Sequence, residues 1–177
     1  MTQAANLAAV GSVSSSTGVP FSTSVLNSGT AQASTSGTSI DFTGIPSWVK
    51  RVTVIMNGVS LSGSALPRFQ LAGSAGVETS GYVGYMTQTA AGAAGAVSGT
   101  AGFDLYMGTA SSVVWGHGVF TLVSGTTWVF SYCGGSTATT LASSGNKTIT
   151  GALTQVRITS SNGTDTFDAG SINILYE

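Results

Sequence analysis

Three carboxylates crowd the end of the chain: Asp165 and Asp168 within "TDTFD", and Glu177 at the last position. The whole sequence holds 6 acidic residues, so half of them fall in the stretch 162–177. Paired carboxylates are the raw material of general acid–base work or of a hard-metal site. On a strand, however, positions three apart point to opposite faces. The pair is therefore expected to punctuate a strand rather than to converge on one ligand. Parity sharpens this expectation. Phe167 is odd-numbered, whereas Ile172, Ile174 and Tyr176 are even, so a shared core demands a one-residue slip between them. Asp168-Ala169-Gly170 is the expected place, because glycine tolerates a bulge. Asp168 is expected to cap backbone donors there, and Asp165 to belong to a hairpin turn.

Other reactive side chains are isolated. His117, in "WGHGV", is the only histidine and Cys133 the only cysteine. A lone histidine without a base or carboxylate partner has no relay, and one cysteine builds neither a disulfide nor a thiolate zinc site. Cys133 is read as a small core residue. No Gly-x-Ser-x-Gly elbow occurs, and "SSGNKT" (143–148) lacks the spacing of a phosphate loop. The expectation is no enzyme, with no catalytic residue, no cofactor and no metal. What remains is a set of aromatic candidates for surface binding: Tyr82, Tyr85, Tyr106 and Trp115, joined by His117. Their exposed faces would suit stacking on a glycan, and the competing reading is plain core packing.

The elements that must position these residues are read from composition and periodicity. Charged residues make up only 6% of the 177 positions, while Gly, Ser and Thr number 25, 27 and 25. Solubility then rests on hydroxyls and backbone, and a net charge of −1 does little to keep copies apart. This is the texture of a surface or assembly protein. The 5 basic residues are scattered, which argues against direct nucleic-acid binding. No apolar run is long enough for a spanning helix, so no membrane insertion is expected. No Lys or Arg precedes Lys50, so no secretory signal is expected. Residues 1–38 read as a low-complexity arm for attachment and oligomerisation, with Val13, Val19, Phe21, Val25 and Leu26 as anchors.

From Ser39 the texture changes to period-2 runs bounded by Gly, Pro and Asn. Strands are predicted at 39–43, 48–57, 68–72, 82–89, 103–108, 113–123, 127–133, 147–151, 153–160 and 164–177. The Ala/Gly-rich run 90–103 reads as a pliant loop or a flat edge segment. Asn57-Gly58 and Asn162-Gly163 suit turns with positive φ, and the second is expected to close a hairpin. Ser124-Gly125 is expected to close another. Alternation names the inward residues: Trp48, Val52, Val54 and Met56; Trp128, Phe130 and Tyr132; Ile172, Ile174 and Tyr176. The fold class is all-β: an antiparallel β-sandwich, jelly-roll-like, over residues 39–177, preceded by an extended N-terminal arm.

Three stretches, "SIDFTGIPSWVKRVTVIMNGVS" (39–60), "ETSGYVGY" (78–85) and "NGTDTFDAGSINILYE" (162–177), together resemble a module of bacteriophage tail-fibre and tail-collar-like proteins. The opening "MTQAANLAAVGS" is similar to the start of such virion proteins. The resemblance implies a virion structural domain, trimeric, on the tail or capsid surface. Its arm would seat on other virion proteins, and its β-domain would meet the host surface, with surface glycan as a further partner. It carries over no catalytic or receptor residue. The short arm leaves two alternatives open: a capsid decoration or head-fibre protein that coats or stabilises the shell, and a glycan-binding module.

Overall fold

A computed structural model describes residues 26–90, 93–106, 109–137 and 139–177. Residues 1–25, including the expected anchors Val13, Val19, Phe21 and Val25, lie outside the described part. The chain order is β1 (Asn27–Ser28), β2 (Gln32–Ala33), β3 (Ser39–Thr43), β4 (Arg51–Leu61), β5 (Pro67–Gly73), β6 (Gly76–Val77) and β7 (Val83–Ala90). It continues with β8 (Ala93–Gly99), β9 (Phe103–Asp104), β10 (Val114–Ser124), β11 (Thr127–Ser136), β12 (Thr140–Thr148), β13 (Gln155–Ser160) and β14 (Phe167–Tyr176). All pairings are antiparallel. The larger, nine-stranded sheet runs β1-β14-β4-β10-β11-β12-β7-β8, with β2 also on β14. The five-stranded sheet runs β3-β13-β5-β6, with β9 on the free side of β5. The fold is thus the all-β antiparallel sandwich that the sequence indicates, with β1 and β2 tying residues 27–33 to the last strand.

The core lies between the sheets and is aromatic at its centre. Phe69 and Phe103 of the small sheet meet Phe120, Phe130 and Tyr132 of the large one. Phe103 stacks on Phe130 at 4.7 Å between ring centres, and Phe69 lies 5.2 Å from Phe130. β10 makes room for these rings with small residues on its inner face. A Cβ added at Gly118 would come within 2.7 Å of the Phe130 ring. The glycines flanking His117 therefore admit core aromatics from β11 and do not serve to expose the histidine.

The expected slip in β14 is present and has a partner. The register between β14 and β4 is irregular between Phe167 and Ser171. β4 slips too, at Asn57-Gly58, seen as an extra residue against β10 between Val59 and Met56. Both strands thereby change phase together, and Val59, Leu61 and Phe167 face the same core as Met56 and Ile172. Gly58 and Gly170 meet at this double bulge with φ of 68° and 93°.

Several expectations need correction. Trp48 is 43% exposed, and Val49 takes the inward place. β4 begins only at Arg51; before it a turn closed by Val49 N–H to Pro46 O (3.0 Å) breaks the alternation. Asn162-Gly163 closes no hairpin. β13 belongs to the small sheet and β14 to the large one, so the turn carries the chain across the sandwich. The strand expected at 147–151 lies earlier, as β12. Its inward positions are Leu141, Ser143, Gly145 and Lys147, too polar and small to announce a strand. The run 103–108 gives only the two-residue β9 within the described part. The Ala/Gly-rich run takes the second of its two expected forms, an edge segment, as β8 beside β7.

Candidate functional site: the outer face of the large sheet

The charged residues come first, because they are few and decide what chemistry is open. Asp41 faces Arg157 across β3 and β13 with two bonds of 2.7 Å. The guanidinium of Arg157 holds the Asp41 carboxyl below the usual aspartate range. Arg68 grips Asp104 with bonds of 2.7 and 2.9 Å. Lys147 is buried and bonds Glu78 at 2.6 Å and the Ser80 carbonyl at 2.9 Å. Burial pushes the Glu78 carboxyl up, but Lys147 and the Thr150 N–H outweigh it and bring it below the ordinary value. Glu177 pairs with Arg51 beside the chain end.

The two aspartates of the opening question part company. Asp168 accepts a hydrogen bond from the Ser60 hydroxyl on β4 rather than from the backbone donors expected at the bulge. Asp165 reaches instead to the loop between β4 and β5, where it accepts the Ala65 N–H at 2.9 Å. Contacts with the Asn162 side chain and with Ala65 N–H hold its carboxyl below the usual range. Every carboxylate of the chain is thus engaged in holding loops and strands. Among the described residues no three of His, Cys, Asp and Glu converge as metal ligands. No helix among them is long and apolar enough to cross a membrane.

The aromatic candidates divide by face. Tyr82 is buried, accepts Leu71 N–H (2.8 Å) and donates to Glu78 O (3.0 Å). Burial pushes its hydroxyl up to about 12. Its role is to brace the loop before β7, so it offers no surface. Tyr106 is half-buried and packs on the core. Tyr85, Trp115 and His117 all lie on the outer face of the large sheet and are exposed. Three inter-strand steps of about 4.8 Å separate β10 from β7, and the register sets Trp115 level with Thr89, four residues along β7 from Tyr85, so the two stand about 20 Å apart and form no single stacking platform. Cys133 joins them on this face, not in the core. The alternation that points Trp128, Phe130 and Tyr132 inward already sends Cys133 outward.

Register lays this face out in rows. Ile55, His117, Cys133, Ala142 and Thr87 form one row across β4, β10, β11, β12 and β7. Thr53, Val119, Ser131, Ser144 and Tyr85 form the next. Arg51, Thr121, Val129, Asn146 and Val83 form the third. Only Arg51, at one corner, carries a charge. Ile55, Val83, Tyr85, Trp115 and Val129 are 37%, 57%, 62%, 46% and 43% exposed, a density of apolar side chains that a solvated sheet face does not need. Sequence reading passed over Ile55, Val83 and Val129. The signal was available: the outward positions of β10, β11 and β12 hold no Lys, Arg, Asp or Glu where a solvated strand would carry them. Comparison with protein-family models, curated proteins and solved structures returns no match to this chain.

Proposed function

We propose that this chain is a bacteriophage virion structural protein of tail-fibre type, a homo-oligomer whose β-domain is displayed at the particle surface and meets the host. The part of the N-terminal arm ahead of β1 attaches it to other virion proteins, since β1 and β2 pair with β14, and it performs no catalysis. The observation that carries this reading is the position of the two strongest stretches of resemblance. Residues 39–60 supply most of β4 and residues 162–177 all of β14, and these strands are neighbours linked by the double bulge. Much of the likeness thus falls on one pair of neighbouring strands, while residues 39–43 lie on β3 of the other sheet and 78–85 lead into β7. The charge economy supports it as well. Each carboxylate braces the fold, which leaves a robust scaffold with no acid–base pair for turnover.

Location on the particle is the test. Gold-labelled antibody against the purified protein is expected to decorate the tail of intact particles. Label confined to the capsid would replace the tail reading with that of a shell decoration protein, and particles without label would overturn both. Purified protein at saturation is expected to slow adsorption to host cells. Unchanged adsorption would remove the host-contact role.

A further inference from the structure

The two outer faces of the sandwich differ in kind. The small sheet presents the half-exposed Asp41–Arg157 pair to water, and its Arg68–Asp104 pair is largely covered. The large sheet presents the three rows described above, with Arg51 and its partner Glu177 only at the rim. From this segregation we propose that the outer face of the large sheet, from β4 to β7, is the contact between copies of this chain. The inference deepens the proposed function, since it names the surface that its oligomer would use.

The choice of a second copy follows from charge and area. A partner selected by charge would find nothing to pair with on this face. Two identical uncharged faces, by contrast, meet without like-charge repulsion. Five strands spaced about 4.8 Å apart and about seven residues deep span roughly 24 by 24 Å, on the order of 600 Å² per copy. Two copies would then bury about 1,200 Å², the lower end of the range of stable, specific interfaces. The anatomy also fits: apolar side chains at the centre, hydroxyls between them and one ion pair at the edge. The Trp115 indole reaches over Gly135 of the neighbouring strand, 3.3 Å from where a Cβ would sit there.

Cys133, near the middle of the face and the only cysteine, supplies a built-in probe. The experiment compares the full chain with the variants Val129→Lys, Tyr85→Lys and Val123→Lys. Val123 is an exposed apolar residue at the β10–β11 tip, outside the rows, and serves as the control. Light scattering after size exclusion is expected to show an oligomer at micromolar concentration for the parent chain and the control. The two face variants are expected to run as monomers with unchanged circular dichroism. Maleimide labelling of Cys133 is expected to be about tenfold slower in the parent than in Val129→Lys, because a covered thiolate is out of reach. Should the face variants misfold, the slowing of parent labelling with rising concentration decides. A monomeric parent would overturn the inference. An oligomer whose Cys133 reacts at the monomer rate would overturn it as well, by placing the contact elsewhere. Neither result touches the labelling of particles, which tests the virion reading separately.

Discussion

At the scale of single residues, Lys147 has the most exacting position. It is the one lysine taken into the interior, and it holds two things at once: the Glu78 carboxylate and the Ser80 carbonyl. Its ammonium also sits 5.1 Å from the centre of the Tyr82 ring. Lys147→Met would strand Glu78 beside the core, and a loss of about 3 kcal/mol in urea denaturation is expected, in line with the removal of one partner from a buried pair. The same pair sets an acid limit. The folded Glu78 pKa lies below the ordinary glutamate value of 4.5, so on acidification the unfolded chain takes up this proton first. The stabilisation is therefore complete above the ordinary value and is lost as pH falls through the folded one. Glu78→Gln should flatten this part of the stability profile between about pH 5 and pH 3. An unaltered acid limb would show that the pair contributes nothing. Asp41 adds a second such step at lower pH, since its ordinary value is 3.8 and Arg157 depresses it further.

At the scale of elements, the β4–β14 pair is the hinge of the architecture. β14 sits between β4 on one side and β1 and β2 on the other, so the end of the chain is an interior strand. The double bulge lets both strands keep apolar side chains on the core through a change of phase. At Gly170 two requirements coincide. Its φ of 93° disfavours any side chain, and a Cβ there would fall 2.4 Å from the Gly58 carbonyl oxygen. Gly170→Ala is expected to cost about 2 kcal/mol or more, because backbone strain and the clash add. Gly163→Ala is the comparison: its φ is 71° but the space around it is open, so about 1 kcal/mol is expected. Equal losses at the two sites in chemical denaturation would mean that the contact between the bulges is not tight. The slip in β14 was legible in the sequence, since Phe167 and Ile172 could share a core in no other way. Its counterpart in β4 was written there too, as Val52, Val54 and Met56 followed by Val59 and Leu61. It was masked by the reading of Asn57-Gly58 as a turn.

At the scale of the whole molecule, the topology is dominated by distant pairings. β4 must wait for β14, and the chain crosses between the two sheets repeatedly instead of finishing one before the other. Loop closure has to precede most of the reward, so refolding on a timescale of roughly milliseconds to seconds is expected. Stopped-flow fluorescence of the buried Trp128 would follow it, and complete refolding in microseconds would contradict the argument. Charge is also unevenly spread over the finished sandwich: two ion pairs lie on the small sheet, one joins buried Lys147 of β12 to Glu78, and one sits at the rim of the large sheet. This asymmetry links the stability of the single chain to the proposed assembly: the charges lock the fold, and the uncharged face is the surface proposed for contact with another copy.

The sequence by itself determined the fold class and much of the core. Period-2 alternation is a local signal, so Val52, Val54 and Met56, Trp128, Phe130 and Tyr132, and Ile172 and Ile174 could be assigned inward without any knowledge of their neighbours. The Ser124-Gly125 hairpin was legible for the same reason, since a tight turn is chemistry of adjacent residues. The tertiary structure decided what depends on distant partners. It placed β13 and β14 in different sheets, which undid the Asn162-Gly163 hairpin. It decided which of the two faces is the core, so that Tyr82 is inward and Tyr85, three positions on, is outward. It made a strand of "TLASSGNKT", whose Gly145 is small because Phe103 arrives from the other sheet. It also sent the two aspartates to different loops and gathered the uncharged positions of five strands into one surface. Alternation says which side of a strand a residue takes, but only strand order and register say what lies beside it.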